Sequence, residues 1–208
     1  MKTVKEHIDH IEIFLSEADK LIHDSSFKTS IKLKTSAILF NIVIDHASAC
    51  VLLLKAEKYS SVSALLRVIY ENLVRALWIK NCATEVEVSL FLEKDKVLKN
   101  PNKEYHSSEL VEAVDKVVDA ENIFSVLHKK FWKIYCSFTH GGIEQINRNI
   151  NKECIQLNYN DEEIILFSQF ILCFSMFSLI QISEITGKEK EVDELISRFL
   201  PAEGLTFI

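Results

Sequence analysis

Residues 60–80 read SSVSALLRVIYENLVRALWIK. Apolar side chains recur there every three or four positions, which predicts a helix. They cover most of its surface, so the helix belongs between others rather than at the edge of the molecule. Three charged residues break the apolar surface: Arg67, Glu71 and Arg75. Steps of four advance a helix by only about 40°, so the three share one stripe, and Glu71 is within reach of either arginine. A polar seam on a central helix is the chain's most informative feature.

The neighbouring segments extend the helical reading. Val4, Ile8, Ile11, Leu15, Ala18 and Ile22 space a first helix over 4–22. A second runs from about Ser30 to Lys55, apolar nearly all round after its basic first turns. The short Glu57-Lys58-Tyr59 link folds the third helix back on it. Thr84 with Glu87 is a capping box opening a fourth helix to about Leu98. Lys99–His106 is polar and reads as a mobile loop. Helices follow from Ser107 or Ser108 through Val118 and from Asn122 to Thr139, the latter ended by Gly141 and Gly142. Residues 143–159 are Asn-rich and read as a short helix plus loop. Asn160 with Glu163 opens a long helix that stops at Gly187, and a last one covers 188–199. The tail 202–208 is expected to pack or fray.

Four glycines and two prolines in 208 residues leave few tight turns, which disfavours a strand-rich fold. The chain therefore reads as all-α: a single-domain, up-and-down bundle of about seven to eight helices. Within residues 1–208, the segment 30–186 forms the core. Five scattered cysteines without a CxxC pair read as reduced thiols of a cytoplasmic protein. Ile164–Ile182 carries no formal charge over 19 residues. Its serines, Gln169, Gln181 and the acidic Asp161-Glu162-Glu163 flank favour a buried central helix over a membrane span. The net charge of −6 gives no general attraction to nucleic acid or anionic lipid.

Two segments carry candidate chemistry. Only four of the chain's 24 cationic side chains are arginine, and two of them are Arg67 and Arg75. A guanidinium fork suits bidentate binding of carboxylate or phosphate; the plain structural alternative is an Arg-Glu-Arg network holding helices in register. The second segment is SFTHGG, residues 137–142. His140 stands there at a helix C-terminus, able to move a proton near neutral pH or simply to cap the last carbonyls. His7 and His10 share a helix face but lack a third ligand, so no metal or cofactor is expected. No phosphate-binding glycine loop, His-Glu-x-x-His or Gly-x-Ser-x-Gly is present.

The run SALLRVIYENLVRALW, followed by Phe131-Trp132 and SFTHGG, resembles bacterial all-helical families of unknown function similar to the HEPN superfamily. That superfamily includes RNases of toxin–antitoxin and phage-defence systems, and binding modules without activity. The resemblance covers roughly 30–186 in fold and only the two short segments in motif. Catalytic HEPN members place an arginine ahead of the histidine on the same helix, with four to six residues between. The corresponding positions here are Lys133, Ile134 and Tyr135, so Arg67 or Arg75 must be supplied from another helix. The resemblance implies a metal-independent ribonuclease in which Arg67 and Arg75 hold phosphate, Glu71 orients them and His140 is the acid/base. It also implies a homodimer, RNA as ligand and an antitoxin-like protein as partner. The residues equally allow a non-enzymatic dimeric scaffold with a structural Arg-Glu-Arg seam, or a sensor of a small anion or nucleotide using that seam.

Overall fold

The computed structural model describes residues 3–23, 25, 26, 29–100, 103–118 and 121–200. The tail 202–208 lies outside them. In chain order the elements are α1 (Val4–Ile22), α2 (Ile31–Lys55), α3 (Tyr59–Asn81), α4 (Glu85–Lys94), β1 (Leu98–Asn100), β2 (Lys103–Glu104) and α5 (Ser107–Val117). They continue with α6 (Ile123–Thr139), α7 (Ile143–Asn147), β3 (Ile150–Asn151), β4 (Cys154–Ile155), α8 (Asp161–Thr186) and α9 (Glu189–Phe199). The all-α fold is as expected.

Helix α3 is the central rod. It packs along α2 and touches α5, α6 and α8, while α1 and α9 close over α8. Its buried stripe contains Leu66, Ile69, Leu73 and Leu77, each at most 1% exposed. Burying a side chain of this size contributes about 1.5–3 kcal/mol, which outweighs any difference in helix propensity. Packing therefore holds α3 in place.

Capping explains most of the boundaries. Thr84 Oγ1 accepts from Glu87 N at 3.3 Å and Glu87 Oε2 accepts from Thr84 N at 2.8 Å. Asn160 and Glu163 form the same reciprocal pair at the start of α8. Thr3 and Glu6 make a third at α1. Gly187 ends α8 at φ 74°, where a Cβ would be strained. Helices α2 and α8 are long and apolar enough to cross a membrane by length and composition; 50% and 61% of their apolar windows are buried within this fold. The buried Ser168 and Ser175 of α8 bond back to Ile164 O and Ile171 O at 2.9 and 2.7 Å. Their hydroxyls are thus satisfied inside an apolar helix.

Three local expectations need correction. Helix α4 stops at Lys94 rather than near Leu98, because Asp95 turns left-handed at φ 53°. The stretch from Lys99 to His106 is not simply a loop: Leu98 pairs with Glu104 and Asn100 with Lys103 in a short antiparallel hairpin. Residues 143–159 hold α7, as anticipated, and also a second hairpin in which Ile150 pairs with Ile155.

Candidate functional site

The last turn of α6 sets the site. His140 is its C-cap, with its N–H donating to Cys136 O at 3.0 Å. Gly141 takes φ 66°, and Gly142 N then reaches back to Ser137 O at 2.7 Å. Ser137 Oγ accepts from Glu144 N at 3.0 Å, tying α7 to the same turn. Thr139 Oγ1 donates to Tyr135 O at 2.8 Å and lies 3.4 Å from Ala64 O, which anchors the turn on α3. His140 is left exposed against the polar seam of α3.

Arg67 reaches it there. Its Nη1 meets His140 Nε2, its Nε donates to Glu71 Oε1 at 2.8 Å, and its guanidinium carbon lies 4.9 Å from the Trp132 ring centroid. A guanidinium has no acceptor, so Nε2 is the acceptor in this contact. An i,i+4 ion pair of this exposure contributes about 0.3–0.5 kcal/mol. That is too little to account for arginine at this position; the three contacts together fix the direction of the fork instead. A guanidinium and an imidazole from separate helices thus meet.

Arg75 points elsewhere. Glu71 forms no ion pair with it among the described residues, so the expected Arg-Glu-Arg network is reduced to Arg67–Glu71. The Arg75 guanidinium lies 5.9 Å from the Phe91 centroid, and its Nε is buried without a hydrogen-bond partner. It faces a cavity of about 150 Å³ between α3, α4, β2, α5 and α6, lined also by Glu71, Phe91, Tyr105, Ser107 and Trp132. Neither His140 nor Arg67 lines that cavity. The four candidates therefore divide into a half-buried Arg67–Glu71 pair with the exposed His140, and Arg75 in a hollow behind them, with Glu71 touching both.

Sequence reading overlooked the aromatic bed beneath the pair. His128 stacks on Trp132 at 4.6 Å, and the buried Tyr70 donates its hydroxyl to Phe124 O at 3.2 Å. Burial lowers the His128 pKa below its ordinary 6.5 and raises that of the Tyr70 phenol. The helical spacing of His128, Trp132 and Tyr135 was the available signal. Also overlooked was a basic stripe. Lys129, Lys130 and Lys133 are exposed on α6 and form no ion pair among the described residues. His10, which shares a face with His7, has its Nε2 3.1 Å from Phe199 O. No group of three or more metal-ligating side chains gathers among the described residues.

The model of DUF6988, a family of unknown function, matches residues 40–202. No curated protein and no solved structure matches the chain.

Proposed function

Because the chain belongs to DUF6988, a family of unknown function, we propose its activity from the site: it is a metal-independent, HEPN-like ribonuclease of a bacterial defence or toxin–antitoxin system. The contact between Arg67 Nη1 and His140 Nε2 at an exposed helix end carries this reading. It restores, from two helices, the arginine–histidine pair that the sequence lacks on one.

The chemistry follows from the donors. An incoming RNA phosphate draws Nη1 from the imidazole to a non-bridging oxygen, which frees the Nε2 lone pair. Glu71 and Trp132 keep the guanidinium oriented during this exchange. His140 then takes the proton of the ribose 2′-hydroxyl, the 2′-oxygen–phosphorus bond forms, and the phosphorus–5′-oxygen bond breaks. The departing 5′-oxygen takes a proton from water and the imidazolium returns its own to solvent. Arg67 offsets the charge that builds on the phosphate. The unpaired Lys129, Lys130 and Lys133 lead along α6 toward His140 and give an otherwise acidic protein a local track for a polyanion. The five cysteines are free, in keeping with a cytosolic setting, and an antitoxin-like protein is the partner this reading implies.

Labelled single-stranded RNA incubated with the protein in EDTA is expected to give 2′,3′-cyclic phosphate ends. His140→Gln should remove the activity and Arg67→Lys should lower it by about tenfold or more, with helicity and melting unchanged. Wild-type protein without cleavage, or a His140→Gln variant as active as wild type, refutes the proposal.

A second reading, a homodimeric interaction module, rests on exposed apolar side chains beside the site. Ile143 and Ile146, on the short helix after His140, are 63% and 53% exposed, and Ile155 is 99% exposed; exposed apolar side chains gathered in one patch mark an interaction surface. Sedimentation equilibrium of wild type and of Ile146→Asp tests it: a dimer lost in the variant supports this reading, and a monomeric wild type ends it.

A further inference from the structure

We propose that the hollow facing Arg75 is a binding site for a small monocarboxylate with an apolar body, distinct from the Arg67–His140 pair. Three observations on the same cavity carry this. Its size, about 150 Å³, matches one ring or a short branched chain. Its walls are about half apolar, from Val74, Phe91, Leu110, Trp132 and the Tyr105 ring. Its one strong unanswered demand is the Arg75 side chain, whose Nε is buried and makes no hydrogen bond. A buried donor left unpaired is expensive, and a carboxylate supplies the acceptors that the fork lacks. Small-molecule sites combine apolar walls with a few placed polar groups.

Charge around the cavity narrows the ligand. Arg75 and Lys96 face it, but so do Glu71, Asp95 and Glu104. Lys96 lies 3.7 Å from Glu104, and Glu71 is engaged by Arg67. With Lys96 on Glu104 and Glu71 on Arg67, Arg75 and Asp95 remain; a single carboxylate adds one negative charge to that balance, where a dianionic phosphate or a nucleotide adds two or more. Serine enters at the N-terminus of α5 through Ser107, which lies where helix amides also favour negative charge.

Benzoate is the probe, because its ring fits the volume and its carboxylate suits the fork. Isothermal titration of the full chain with benzoate is expected to show saturable one-to-one binding. Arg75→Gln should weaken it by about tenfold or more. Leu110→Trp, which fills the cavity and leaves Arg75 intact, should remove it, so the conclusion does not depend on one variant folding. Benzyl alcohol, the uncharged analogue, should bind at least about tenfold more weakly than benzoate. Absence of benzoate binding at millimolar concentration overturns the proposal. So does benzyl alcohol binding equally well, inorganic phosphate binding more tightly than benzoate, or unchanged benzoate affinity in both folded variants. RNA cleavage is read separately at His140, so either proposal can fail alone.

Discussion

Replacing Arg75 by methionine should stabilise the unliganded protein. The arginine holds a buried Nε without a hydrogen-bond partner, and such an orphan costs about 1–3 kcal/mol. Methionine has similar length, keeps the apolar stem against its neighbours, and removes the orphan. Against this stands the loss of the guanidinium over Phe91. At 5.9 Å from the centroid that contact is near its outer limit and contributes about 0.5–1 kcal/mol. The side chain is only partly buried, so the smaller part of the orphan penalty applies. The net gain is about 0.3–0.5 kcal/mol, or a rise of about 1–2 °C in Tm for a chain of this length. Thermal melts by circular dichroism and urea titrations of both proteins should agree in sign. A variant less stable than wild type by more than about 1 kcal/mol would refute the reasoning, because it would mean that the guanidinium is satisfied where it lies.

Three further outcomes follow from named contacts. Burial depresses the His128 pKa below its ordinary 6.5, so the unfolded chain binds the proton more readily; stability should fall as pH drops below about 6.5 and level off below the folded value. His128→Gln should flatten urea stability between pH 7 and 5. At Gly142, a Cβ would collide with Ser137 Oγ and stand 3.0 Å from Ser137 Cα, so Gly142→Ala should lose about 1–3 kcal/mol in urea and displace the turn carrying His140. The buried Cys50 and half-buried Cys173 thiols are pushed up to about 12, whereas Cys154 is exposed; thiol labelling of the native protein at pH 8 should therefore modify Cys154 well before those two, and mass spectrometry of digests reads the order.

The fold was legible because its signals are local. Three- and four-residue spacing of Leu66, Ile69, Leu73 and Leu77, and the Thr84–Glu87 and Asn160–Glu163 pairs, each act within one or two turns. The two hairpins were missed for the opposite reason. Strands of two or three residues, such as Lys103–Glu104 and Cys154–Ile155, are too short to show an alternating pattern. Asp95 ends α4 by a left-handed turn at a residue without glycine's signature. At the site, the stripe of Arg67, Glu71 and Arg75 was readable from spacing, but the orientation of each fork was not. Trp132 on α6 draws Arg67 one way and Phe91 on α4 draws Arg75 another. Those partners lie far away in sequence, and helical periodicity says nothing about them.

The chain has two tryptophans, and their placement has a practical consequence. Trp132 lines the hollow and lies against the Arg67 guanidinium. Trp78 is buried with its ring 5.3 Å from that of Tyr105, which lines the same hollow. Indole emission, excited near the red edge, therefore originates from one chromophore at the boundary between the two proposed sites and another one residue removed from it. The protein carries its own optical reporter: occupancy of the hollow and displacement of the arginine fork should each alter quantum yield without an added label.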